Sequence, residues 1–405
     1  MKKYIDCSII KGVNYTPSYA RNDIEIWRDY DEKTVERELG YAKRIGFNSI
    51  RPFLNYAVYA DNKEKFLKNL LHMVRTANSL GIKVMPVVFD SCFTEKEPTI
   101  DFDKNEWIAN PGVMNLGEHF WKKGEEYCLD LINLLKNENG LLMWDIMNEP
   151  LCTEYVWNYS PEINEEHKKE IFTFLKHFCD FFKQNDAINP TTVGHVGIES
   201  NEETSDWVDI LSYHNYRATD ADNESALLYA VEIGKKCGKQ MFCSEMGCAA
   251  RANPYDVAIE IANKHNVGYF LWELMIGKCF FNDRHGVVYP DGTVRDTSIV
   301  AAVNGFFRRR ENRIAYNANT ESSAACVVNR IEEWTNSQEK DISNGLDIVN
   351  HAANLLESNL LVPECDLPTA VYCEMKNKKN LSPDEITKQL TEWLAILKKD
   401  IEKHK

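Results

Sequence analysis

The 405-residue chain predicts an α/β fold, a (β/α)8 TIM barrel with a C-terminal, mainly helical appendage. Short apolar, β-rich runs alternate with longer amphipathic ones from about residue 8 to residue 310, the pattern of repeated βα units around a parallel sheet. Eight β-rich runs are present, the number that closes a barrel. The turn after the first, Gly12-Val13-Asn14-Tyr15-Thr16-Pro17, lacks the Gly-rich phosphate loop that an open, doubly wound sheet carries there.

The first run, residues 9–14, precedes an amphipathic helix at 32–45; the second, 49–54, precedes a helix at 63–80. Gly46 and Gly81 stand just before the second and third strands, where a helix C-cap that tolerates positive φ belongs. The third run, 82–89, leads into a long loop, 90–117, and a helix at 118–135; the fourth, 141–147, leads into the loop 151–164 and a helix at 165–182. After the fifth, 192–196, comes a short segment with little helical pattern. The sixth and seventh, 208–213 and 240–244, are followed by helices at 225–236 and 254–264. The eighth, 268–272, is followed by a loop at 275–294 and a helix at 298–309. Loops this long on one rim shape a binding site.

These units assign residues 1–314 to the barrel and 315–405 to the appendage. In the latter, Ser382-Pro383-Asp384-Glu385 is a capping box with Pro at the first helical position, and Ile386, Leu390, Trp393, Leu394, Leu397 and Ile401 form one apolar stripe. Such a stripe must be covered, by the barrel or by a second subunit in a homo-oligomer; a module tethered by residues 317–320 is the other arrangement.

An apolar content of 44% and an aromatic content of 11% suffice for a sizeable core and argue against disorder. The net charge of -15 disfavours nucleic acid and anionic lipid, which reward Lys/Arg patches. The 12 cysteines contain no CxxC pair, and free thiols in a reducing compartment are expected. The first residues lack the apolar run of a signal peptide, and no stretch reaches 18 apolar residues, so the expected location is the cytoplasm, with no membrane span.

Two glutamates sit just past strand-like runs: Glu149 after Trp144-Asp145-Ile146-Met147-Asn148, and Glu245 after Met241-Phe242-Cys243-Ser244. A carboxyl at a strand tip, held rigidly over a cleft, is what acid/base and nucleophilic chemistry on a sugar acetal requires. The Asn148-Glu149-Pro150 triplet, the Ser244-Glu245 pair, Arg51 after the second strand, His214 and Tyr216 after the sixth and Trp272 on the eighth together resemble clan A glycoside hydrolases, nearest to glycoside hydrolase family 5. The likeness covers about residues 8–310. It implies that Glu149 is the acid/base, Glu245 the nucleophile, and that the anomeric configuration is retained.

Elementary chemistry points the same way, because a retaining mechanism needs two carboxyls about 5 Å apart, one neutral and one ionised. Arg51 beside Glu245 would hold it ionised, and the Tyr216 phenol would hold it in line. Poor solvation and the charge of Glu245 would keep Glu149 protonated. Asn148 would donate to the sugar 2-hydroxyl, His214 would touch ligand, and Trp272 would stack on a sugar face. Asp90 stands where many family members carry a histidine, and is a candidate substrate contact. Glu273 and Glu199 are weaker candidates, and the rim aromatics Trp107, Tyr155, Trp157, Tyr159, Phe280, Phe281 and Tyr289 either platform sugars or pin their own loops. The first run contains no histidine, so neither a metal nor an organic cofactor is expected. The expected activity is retaining cleavage of β-linked oligosaccharides or small β-glycosides, mannosides or glucosides foremost, in exo mode if the site is a pocket. A carbohydrate-binding protein on a degenerate barrel and a transglycosylase are the alternatives.

Overall fold

The computed structural model describes residues 2–92, 94–248, 254–282, 284–307, 324–358, 361–362 and 367–403. The chain divides into two compact units, residues 1–308 and 309–405. The expected boundary at 314 and the proposed tether at 317–320 lie outside the described residues.

In the first unit nine short strands form one parallel sheet: β1 Lys11–Asn14, β2 Ser49–Arg51, β3 Lys83–Val84, β4 Val87–Asp90, β5 Trp144–Asn148, β6 Thr191–His195, β7 Leu211–Asn215, β8 Met241–Met246 and β9 Tyr269–Leu271. Their order is β3-β2-β1-β9-β8-β7-β6-β5-β4. β3 and β4 are halves of the third predicted strand, interrupted at Met85-Pro86, where proline has no N–H for the ladder. β3 pairs with β2 and β4 with β5. Bridges from Phe53 to Val87 and from Val84 to Leu141 join the two ends of the sheet, so eight strand positions close a barrel.

The expected helices are found at Glu32–Ile45, Lys63–Ser79, Glu118–Leu135, Pro161–Asn185, Asp220–Cys237, Tyr255–Lys264 and Thr297–Val303. The last is shorter than predicted, and residues 308–309 lie outside the described residues. Helix Pro161–Asn185 starts earlier than its apolar period suggests because Ser160 caps it and Pro161 is pre-set for the first turn. Two helices of six residues, Asp23–Arg28 and Tyr56–Asp61, were not anticipated, and the weak segment after the fifth strand is the five-residue helix Ser200–Thr204. Gly46 and Gly81 do adopt positive φ, 107° and 76°.

Packing follows the patterning. In helix Glu32–Ile45 the side chains of Val35, Leu39, Ala42 and Ile45 are buried against the sheet, at the i, i+4, i+7, i+10 spacing of one face. Inside the barrel a second apolar layer of Ile10, Met85, Met143, Phe242 and Phe270 gathers at the strand starts. The charged groups of the interior, Arg51, Asp145, Glu149 and Glu245, stand beyond this layer toward the strand ends.

The second unit has a core of its own. Helices Ala324–Asn336, Ile342–Ser358, Pro368–Asn377 and Pro383–Lys403 bury Val327, Ile331, Trp334, Ile348, Val349, Leu356, Ile386, Leu390, Trp393 and Leu397 together. The stripe predicted to need covering is thus covered within the unit, with Leu394 and Ile401 partly buried. The capping box forms: Ser382 Oγ accepts from the Glu385 N–H at 3.3 Å, and Glu385 Oε2 accepts from the Ser382 N–H at 3.1 Å. Leu390→Ala is expected to destabilise these helices by about 2–5 kcal/mol. The check is faster amide hydrogen exchange across residues 324–403; unchanged exchange there would show that Leu390 does not hold this core.

Candidate active site

Glu245 lies within β8 and Glu149 directly follows β5, so both emerge at strand ends around one mouth. One oxygen of each, together with a ring nitrogen of His214, fall within 4.8 Å of one another. Interruptions of strand register aim these groups. Asp145 pairs with Thr192 and Asn148 with Gly194, three residues against two, and this bulge turns both Asp145 and Asn148 toward Arg51. Between β7 and β8, Tyr213 pairs with Cys243 but His214 with Glu245, which sets the imidazole level with the carboxyl. Glu149 itself has φ 42°, a left-handed conformation that a residue with a Cβ rarely adopts. Its N–H donates to Gly194 O at 2.7 Å, fixing that turn.

Arg51, fully buried, organises the site. Its Nε and Nη2 lie 2.9 Å from Asp145 Oδ2, Nη1 donates to Glu245 Oε1 at 2.6 Å and to Asn14 Oδ1 at 2.9 Å, and Nη2 donates to Asn148 Oδ1 at 2.7 Å. The guanidinium also stands 4.9 Å from the centre of the Phe53 ring. Burial pulls its pKa down, but Asp145 and Glu245 outweigh that and hold it above its ordinary value. Tyr216 donates to the other oxygen of Glu245, Oε2, at 2.9 Å. Glu245 is therefore held at both oxygens.

Glu149 is held differently. His214 Nδ1 is 2.6 Å from its Oε1, and the Cys92 thiol donates to its Oε2 at 3.0 Å. The imidazole is 3.4 Å from Glu245 Oε2, and its Nε2 has no partner among the described residues. Gly194 makes room here, since a Cβ would stand 2.8 Å from Arg51 Nη2 and 3.0 Å from His214 Nε2.

Asn148, Glu149, Tyr216, Glu245 and Trp272 line a cavity of about 750 Å³. Arg51, His214 and Asp90 are buried and are not among the residues of its wall; they reach the site through bonds to those that are. Asp90 Oδ2 accepts from Trp107 Nε1 at 2.6 Å, and Oδ1 accepts from Asn148 Nδ2 at 3.1 Å and the Cys92 N–H at 2.9 Å, so both oxygens are engaged. Trp272 meets Phe53 and Trp107 edge to face, with centroids 5.6 and 5.9 Å apart, and the peptide bond after it is cis. Of the rim aromatics, Trp107, Phe280 and Phe281 join the wall. Tyr155 instead stacks on His167 at 3.6 Å and donates to Glu170, while Tyr159 donates to Glu95 at 2.7 Å, strapping loop 151–164 to loop 90–117. Glu199 is exposed, away from the cavity wall. Glu273 is fully buried and accepts from Asn282 at 3.0 Å.

Electrostatics depart from expectation in one respect. Burial raises the Glu149 carboxyl, but the hydrogen bond and charge of His214, helped by Cys92, outweigh it and hold it down at about 2. Glu245 moves up: burial raises it, His214 and Arg51 pull it down, and the charge of Glu149 pushes it up again. His214 acts more strongly on Glu149 than on Glu245 because its Nδ1 stands 2.6 Å from the first carboxyl and 3.4 Å from the second. Asp90 and Glu273 are both raised to about 7 by burial.

Sequence reasoning missed Asn14, Asp145, Gly194 and the thiols of Cys92 and Cys152. Asp145 carried a signal, a charge in the middle of an apolar strand, which must find a partner. The others carried none. Among the described residues, two groups of side chains have the donors and spacing to hold a cation, Cys92 with Glu149 and Cys152, and Glu149 with His214 and Glu245.

No protein-family model matches the chain. No curated protein matches it in sequence. Solved structures do match. GH5_18 from Streptomyces cattleya, in complex with Manβ1-4GlcNAc, is similar with a TM-score of 0.55 and 16% identity, over 72% of this chain and 78% of that one. An endo-1,4-β-mannanase from Rhizomucor miehei gives 0.53 and 15%, over 73% and 93%. An exo-β-1,4-mannosidase from Opitutaceae bacterium strain TAV5 gives 0.51 and 14%, over 85% and 67%. At these identities the likeness establishes the shared barrel fold.

The raised carboxyl of Glu273 has a consequence for stability. Its folded pKa of about 7 exceeds the ordinary value of 4.5, so its contribution is complete below about pH 4 and is lost as pH rises to about 7. Glu273→Gln is expected to flatten that decline and to leave the barrel more stable than the parent at pH 8. Urea unfolding at pH 5 and pH 8 checks it, and an unchanged slope would mean Glu273 is ionised in the fold.

Proposed function

We propose that the chain is a retaining β-glycosidase that cleaves β-linked oligosaccharides or small β-glycosides, with Glu245 as nucleophile and Glu149 as acid/base. The observation that carries this is the approach of the two carboxyls to within 4.8 Å around one cavity. Retention goes with a spacing of about 5–5.5 Å, whereas inversion leaves room for a water at about 6.5–9.5 Å. A cavity of about 750 Å³ accommodates a few sugar units.

In this reading Arg51 and Tyr216 keep the two Glu245 oxygens turned to the anomeric carbon. Asn148 is oriented by Arg51 on its oxygen and by Asp90 on its nitrogen, which leaves one N–H for the sugar 2-hydroxyl. The network decides that orientation, because Arg51 can only donate. Asp90 is then a positioning residue that aims Asn148 and Trp107, and Trp272 offers its face to the sugar ring. Water displaced by substrate deprives the ionised Glu149 of solvation and raises its carboxyl, which takes a proton from solvent and delivers it to the leaving oxygen. Once Glu245 is esterified its charge is gone, and Glu149 takes a proton from water in the second step. β-Mannosides and β-glucosides are the substrates expected foremost.

Incubation with a 2-fluoro-β-mannoside or its gluco isomer is expected to label Glu245, located by peptide mapping. Glu149→Gln is expected to lower kcat by about 10²–10⁴-fold on sugar leaving groups and far less on a dinitrophenyl glycoside, which needs no protonation. No turnover across a panel of aryl β-glycosides, or label on another residue, overturns the proposal.

A further inference from the structure

Of the thiols at the mouth, Cys92 and Cys152 stand against Glu149, and the proposed hydrolysis does not use them. Cys92 lies two residues past β4, its N–H fixed by Asp90 at 2.9 Å, and Cys152 lies three residues past Glu149, its N–H bonded to Glu149 O at 3.0 Å. Both sulfurs and a carboxylate oxygen of Glu149 fall within 4.8 Å of one another. All three residues line the cavity, so a solute entering it meets them directly.

We propose that Cys92, Cys152 and Glu149 form a binding site for a thiophilic divalent cation such as Zn2+ or Cd2+. Two thiolates and one carboxylate suit a soft, tetrahedral ion and disfavour Mg2+ and Ca2+, which take oxygen donors. Tetrahedral zinc with sulfur at about 2.3 Å and oxygen at about 2.0–2.2 Å sets its ligand atoms about 3.5–3.8 Å apart. The observed cluster, with all three ligand atoms within 4.8 Å, stands near that spacing on the wall of the cavity. Glu149 Oε1 stays with His214 while Oε2, which now accepts from Cys92, becomes the ligand. Binding releases two thiol protons. Burial raises the Cys92 thiol well above its usual range; at Cys152 the Cys92 hydrogen bond lowers it, but burial and the charge of Glu149 carry it above. Cation affinity is therefore low in acid and climbs with pH. The cation site itself does not rest on the glycosidase reading, but its consequence does: a cation on Oε2 keeps Glu149 from carrying a proton and stops hydrolysis.

The test is titration of the full chain with CdCl2 under a phosphine reductant, read as the ultraviolet thiolate-to-cadmium charge-transfer band, with aryl glycoside hydrolysis followed in parallel. The expected result is a band saturating at one cadmium per chain, lost in both Cys92→Ser and Cys152→Ser and kept when Cys326 and Cys373 of the second unit are changed to serine. Apparent affinity should rise about tenfold or more per pH unit from pH 6 to pH 8. No band in the parent, or a band that survives both Cys92→Ser and Cys152→Ser, overturns the site; in the latter case another group of thiols holds the metal. A band in a protein that shows no hydrolysis before cadmium is added leaves the cation site standing and removes the glycosidase reading, and hydrolysis without a band does the reverse.

Discussion

A guanidinium sealed inside a protein is tolerable only if carboxylates and carbonyl oxygens replace the water it has lost. Arg51 meets that condition with Asp145, Glu245, Asn14 and Asn148, drawn from three strands besides its own. One cation thus ties β1, β2, β5 and β8 at their exit ends, above an apolar floor that offers no competing partner. Removing any one carboxylate would leave the others to neutralise a buried charge, so the arrangement is all or nothing. The separation of Glu149 from Glu245 is a by-product of this clamp, because Asn148, one residue before Glu149, is among its members.

The strand irregularities are the second layer of the same design. A regular strand alternates its side chains, so Asp145 and Asn148 would face opposite ways. The bulge in β5 lets both serve Arg51, and leaves Glu149 at the turn. Around this, aromatic rings do the packing that polar groups cannot. Phe53 lies under the guanidinium, and Trp107 and Trp272 meet it edge on, making a wall that is apolar toward the cavity and anchored at its back by Asp90.

The barrel was legible because each βα unit repeats a local pattern that needs no knowledge of its neighbours. Its details were not. Pro86 breaks the third strand in two, and the short helices Asp23–Arg28 and Tyr56–Asp61 have fewer than two turns in which to display a period. The two glutamates, Asn148, Tyr216 and Trp272, singled out by their places near strand ends and by the family resemblance, do meet on one cavity wall. Asp90 was read as a ligand contact, yet it spends both oxygens on Trp107, Asn148 and the chain, a pairing across the 90–117 loop that spacing cannot reveal. The downward pull on the Glu149 carboxyl depends on His214 standing at 2.6 Å from it and 3.4 Å from Glu245, a difference set by tertiary packing alone.

The backbone of Glu149 carries a cost of its own. At φ 42° every side chain with a Cβ is strained by about 1 kcal/mol or more, and a glycine would relax it. Folding alone gives no reason to keep a glutamate at this corner. The corner is thus a place where a catalytic assignment and the demands of the backbone pull in opposite directions, and the side-chain bonds to His214 and Cys92 offset the strain within the fold.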